Sequence, residues 1–132
     1  MTRANAYKNI QASTASKERL MALLFEAALR HLRQGRASLE KKDLGGFFTS
    51  VEKASNIVIE LKSTLKPEHA PQLCEQLQDI YGFVIGRILE AAATRNPKFL
   101  AEAERAFAPV ADGFIQAAAQ VQAAAAPAQA AR

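Results

Sequence analysis

The sequence predicts an all-α fold, an antiparallel up-down four-helix bundle, on three observations. Apolar residues recur at spacings of three and four through most of the chain, the signature of one helix face. No stretch alternates apolar and polar residues as a half-buried strand does. The interruptions near 43, at 66–70 and near 95 are short, so successive helices lie antiparallel.

Residues 1–15 are polar apart from Tyr7 and Ile10 and read as a mobile N-terminal arm. Ser16 is placed to cap the first helix, with Glu18 in its electropositive first turn. Leu20, Leu24, Ala28, His31, Gly35 and Leu39 then carry that helix over about 16–42. Asp43 is the cap expected for the second helix, about 44–65, whose periodic residues include Phe47, Val51, Ala54, Val58 and Leu61. Gly45 and Gly46 predict a loose start to it. Pro67 and Pro71 break the pattern, and Pro71 suits the first position of a third helix over about 71–94.

Asn96-Pro97 reads as a cap followed by an N1 proline. Leu100, Ala103, Phe107, Val110, Phe114, Ala117 and Val121 then form the most regular stripe in the chain. Pro109 lies inside it and predicts a kink or a division near Ala108. The bundle therefore spans 16–122, and the alanine-rich 123–132 reads as a disordered low-complexity tail.

At 132 residues the chain is one domain large enough to bury its own core. Its single cysteine, Cys74, forms no internal disulfide, and no apolar run reaches the roughly 18 residues of a membrane span. The N-terminus has no apolar h-region of a secretory signal, and the expected location is cytoplasmic. A net charge of +4 and pI near 9.5 permit an acidic partner. However, Arg30, Arg33, Arg36, Lys41 and Lys42 alternate with acidic residues and with no aromatics, which reads as solvated helix faces rather than a nucleic-acid footprint.

No constellation for catalysis, a cofactor or a metal is present. His31 and His69 lie on different elements without carboxylates at ligand spacing, and there is no Glu-x-x-His pair of the di-iron bundle type. His31 reads as a core or boundary residue on an apolar face, and Cys74 as a small apolar side chain without a neighbouring base. No glycine-rich phosphate loop follows a strand. The chain is not expected to be an enzyme.

The third helix carries more apolar surface than one contact requires. Leu73, Leu77, Ile80, Val84 and Ile88 form one stripe, and Cys74, Tyr81, Ile85 and Leu89 form a second beside it. Together they cover roughly half the circumference, against about 100° for an ordinary surface helix. Either the helix is packed on two sides, or part of it is reserved for a partner helix. Gly82 and Gly86 would let another backbone approach closely. Periodicity leaves open whether Tyr81, Ile85 and Leu89 belong to core or groove.

Three segments resemble the flagellar secretion chaperones of the FliS family. They are the Thr14-Ala15-Ser16 lead into LMALLFEAALRHL (20–32), KASNIVIELKSTLK (53–66) and LQDIYGFVIGRILEA (77–91). Each is helix-like and apolar; their order and spacing carry the likeness. The chain departs where the family has an Asp-Gly pair after the first aromatic (Glu26, Ala27), an Asp after the third-helix tyrosine (Gly82) and paired arginines (Gly86, Arg87). Phe114 stands where a tryptophan is common.

The resemblance implies a bundle that binds the disordered C-terminal segment of flagellin in apolar grooves, with components of the flagellar export gate as further partners. The surplus stripe of the third helix with its glycines, and apolar surface of the second helix left outside the core, supply the candidates for such a client groove: Ile57, Tyr81, Ile85, Leu89, Gly82 and Gly86. The resemblance points to Tyr7 and Ile10 as a cover for that groove when the client is absent. A helical adaptor or secretion chaperone with a different client is the alternative. The sequence leaves the oligomeric state open.

Overall fold

A computed structural model describes the backbone of residues 3–130 and the side chains of residues 17–124. It contains helices α1 (Arg3–Glu40), α2 (Leu44–Ser63), α3 (Pro71–Thr94) and α4 (Pro97–Ala130), with no strand among the described residues. Each helix packs on its neighbours in chain order, and α4 closes the ring against α1. This is the expected four-helix bundle. No helix among the described residues is long and apolar enough to cross a membrane.

The connections are built by capping chemistry. After α1, Lys42 takes a left-handed φ of 59°, and the Asp43 N–H reaches back to the Ser38 carbonyl at 2.8 Å, closing a Schellman turn. Asp43 then caps α2, its carboxylate accepting from the Gly46 N–H at 3.0 Å. A Cβ at Gly46 would collide with that carboxylate. The glycine is thus part of the cap, and α2 begins at Leu44 rather than after a loose turn. Arg95, with φ 57°, turns the chain after α3. The Asn96 side chain accepts from the Lys98 N–H at 3.0 Å, with Pro97 at the first position of α4.

Three boundaries differ from the sequence expectation. α1 begins at Arg3, so Ser16 lies within the helix rather than ahead of it. Residues 3–15 contain no proline or glycine and four alanines, so nothing in them stops a helix. α4 is a single element through Pro109. Pro109 is on an exposed face, where water can take the carbonyl freed by its missing N–H. α4 also continues to Ala130, because alanine is the best helix former even in low-complexity sequence.

The core lies where all four helices meet. Phe107 of α4 is fully buried, with its ring centroid 5.7 Å from Phe25 of α1 and 6.3 Å from Tyr81 of α3. Phe25 also stacks on Phe114 at 4.8 Å, and α2 contributes Phe47, Val58 and Leu61. Gly35 is buried where α1 meets α2 and α4; a Cβ there would lie 3.3 Å from Leu100 and 3.4 Å from Ser50. Outside the core, Glu104 pairs with Arg33 at 2.8 Å and Arg36 at 3.0 Å, joining α4 to α1. Two of the three clustered arginines are therefore engaged within the bundle.

Phe107→Ala is expected to lower the unfolding free energy by about 3–5 kcal/mol, measured by urea denaturation. Val121→Ala, at an exposed position on the same stripe, is expected to change it by less than about 0.5 kcal/mol.

Candidate functional site

The two apolar stripes of α3 face its two neighbours. Tyr81, Val84 and Ile88 point inward and are buried. One flank faces α2 and carries Gly82, Ile85 and Leu89; the other faces α4 and carries Leu73, Ile80 and Phe83. Neither neighbour covers its flank fully. The surplus apolar surface of α3 is thus partly two-sided packing and partly open groove.

Between α2 and α3 lies a groove of about 320 Å³, lined by Phe48, Val51, Ser55, Ile88, Leu89 and Ala92, with Glu52 and Asn56 as its polar members. Leu89 is 60% exposed. Ile85 shares its row at the i, i+4, i+7 spacing with Leu89 and Ala92, and is half-buried against the core. A Cβ built on Gly86 meets nothing within 4 Å, and one on Gly82 meets only the Lys62 ammonium at 4.0 Å. Their lack of a side chain therefore serves no contact among the described residues, whereas Gly35 and Gly46 each have a packing or capping reason.

The structure brings Gly82, Ile85, Gly86 and Leu89 together and separates two other expected residues from them. Tyr81 is 2% exposed and belongs to the core; only its position inside the arc of α3 distinguished it from Ile85, and periodicity does not resolve that. Ile57 sits two helical turns from Ser50, which meets Gly35 of α1. It therefore faces the α1 side of α2, half-buried against the core, and not the α3 side. The side chains of Tyr7 and Ile10 lie outside the described residues.

A second groove, of about 410 Å³, runs between α3 and α4, with Leu73, Gln76, Leu77 and Ile80 on one wall and Pro109, Val110, Gly113, Phe114 and Ala117 on the other. Among the described residues no charged side chain lines it. A Cβ on Gly113 would also meet nothing within 4 Å. The sequence reading named no groove here: it placed Leu73 and Ile80 in the first stripe of α3 and Val110 and Phe114 in the regular stripe of α4. An available signal was Gly113, a helix-interior glycine beside an apolar stripe.

Chemically these surfaces are suited to apolar contact. Among the described residues no cluster of three His, Cys, Asp or Glu side chains could hold a metal ion. His31 is half-buried, with Nδ1 3.3 Å from the side-chain Oε1 of Gln34. Its pKa is lowered chiefly by burial, which disfavours the imidazolium.

The family model described as "Flagellar protein FliS" matches residues 1–121. The chain is 28% identical over 99 residues to the flagellar secretion chaperone FliS of Vibrio cholerae, covering 72% of this chain and 73% of that one. It is 28% identical over 104 residues to the flagellar secretion chaperone FliSB of Pseudomonas aeruginosa, covering 79% and 82%. A further 28% identity over 104 residues links it to the flagellar secretion chaperone FliS of Salmonella typhimurium, covering 78% and 77%.

Gly86→Ala is expected to raise stability by about 0.5–1 kcal/mol, since its methyl group enters open space; thermal and urea melts check this. Burial raises the Tyr81 phenol from 10.0 to about 12. The unfolded chain ionises first, so the stability held by neutral Tyr81 is complete below pH 10.0 and is lost as the pH climbs to about 12. Phenolate absorbance during an alkaline titration should show a step for Tyr81 near that upper value.

Proposed function

The chain belongs to the FliS family of flagellar proteins, and from that membership we propose that it is a cytoplasmic export chaperone for flagellin. It holds the disordered C-terminal segment of flagellin in the apolar grooves beside α3, prevents premature polymerisation and delivers the client to the flagellar export apparatus. The observation that carries this reading is the incomplete cover of α3. Apolar side chains and unshielded glycine backbone lie open along its α2 flank, where Leu89 is mostly exposed.

A disordered segment that folds as it binds gives up roughly 2–5 kcal/mol or more in ordering. An extended apolar groove offsets this better than a single hot spot, because the gain grows with the apolar area removed from water. Helix-in-groove docking reads anchors at i, i+3, i+4 and i+7, the period presented by Ile85, Leu89 and Ala92. Gly82 and Gly86 let the incoming backbone approach α3 between them. On the family resemblance, Tyr7 and Ile10 cover this groove when the client is absent.

Titration calorimetry with a peptide covering roughly the last 40 residues of the organism's flagellin tests the assignment through its heat-capacity change. Binding with a negative heat-capacity change, little altered between low and high salt, is the expected result, since phosphate-type contacts would weaken steeply with salt. Leu89→Asp should leave the circular dichroism spectrum intact and weaken binding by at least about tenfold. Absence of binding at either salt concentration would remove flagellin as the client.

A further inference from the structure

The outer seam between α3 and α4 has a direction. Leu73, Ile80, Phe83 and Arg87 follow one line along α3, about 21 Å long at 1.5 Å per residue. The Leu73 end is the uncharged groove. At the other end the Arg87 guanidinium lies between two rings, 5.2 Å from the centroid of Phe83 and 5.4 Å from that of Phe99.

Arg87 is held in place more than it is engaged. Its ion pair runs from Nη1 to Glu102 Oε2 at 3.4 Å, long for a charge-assisted hydrogen bond. Its Nε is buried without a partner among the described residues, while the side chain as a whole is 32% exposed. The two rings restrict where the guanidinium can lie, so less ordering remains for a ligand to impose. Lys98 stands over the outer ring, 5.9 Å from the Phe99 centroid. Arg87 and Lys98 are the cations here, beside Glu102 and, one turn along α3, Glu90, and the negative end of a helix is its C-terminus.

We propose that the α3–α4 seam receives the carboxyl-terminal helix of the client, with its apolar face in the groove and its free α-carboxylate at Arg87. This rests on the reading above that the client binds by its C-terminal segment. The carboxylate takes the exposed N–H groups of the guanidinium, a planar match that an ammonium would not provide. Gly113, with open space at its Cβ position among the described residues, gives the incoming helix room against α4 at the Leu73 end of the seam.

Two peptides covering roughly the last 40 residues of flagellin, one a free acid and one a C-terminal amide, are titrated into the full chain by calorimetry. The amide should bind about five- to tenfold more weakly, the scale of one partly exposed charge-assisted pair. Against Arg87→Gln both peptides should bind alike, at the affinity the amide has for the unsubstituted chain. Equal binding of acid and amide to the unsubstituted chain overturns the proposal, and that comparison requires no variant to fold. Arg87→Gln weakening both peptides equally also overturns it, since Arg87 would then act through the bundle. If neither peptide binds, the flagellin reading falls together with this one.

Discussion

The bundle depends on a single ring. Phe107 meets Phe25 of α1 and Tyr81 of α3 at aromatic distances from its place on α4, so three of the four helices are spaced by one buried side chain. Interiors pack as densely as organic crystals, and the volume at the centre sets how far apart the helix axes stand. With large residues at the centre and small ones such as Gly82, Gly86, Gly113 and Ala117 outside, the axes stay apart and the outer seams stay unfilled. The grooves are thus a consequence of how the core is filled.

The glycines separate what the bundle needs from what it tolerates. Gly35 is required by the close approach of Leu100 and Ser50, and Gly46 by the Asp43 cap. Gly86 and Gly113 meet no such demand, yet each helix-interior glycine destabilises by about 0.5–1 kcal/mol relative to alanine. Among the described residues of the bundle no packing contact offsets that loss. A helix lying against α3 or α4 would do so, by approaching a backbone that has no Cβ in the way.

The sequence made the turn chemistry legible: Asp43, Pro71 and Asn96-Pro97 act where residue type alone placed them. Capping is local, fixed by a side chain and an N–H two or three residues away. The ends of α1 and α4 were not legible, because polar and alanine-rich stretches lack a stop signal without favouring coil. Nor did periodicity assign the neighbours. It gave the apolar arc of α3 but not which part each neighbour covers, so Tyr81 and Ile85 looked equivalent although one is buried and the other half-buried. Ile57 shows the same limit: its row on α2 faces α1, and only tertiary packing reveals that.

The two grooves on one helix bear on how a disordered client is held. Offsetting an ordering loss of about 5 kcal/mol at roughly 25 cal/mol per Å² takes on the order of 200 Å² of apolar surface before any affinity appears. One shallow groove beside Leu89 would leave little surplus. A client that occupies both flanks of α3 roughly doubles the contact while joining the second segment to the first, so the second association is intramolecular. On the proposed reading, α3 is the element around which the client folds. The bundle leaves both of its edges open because closing either would remove the surplus that makes binding favourable.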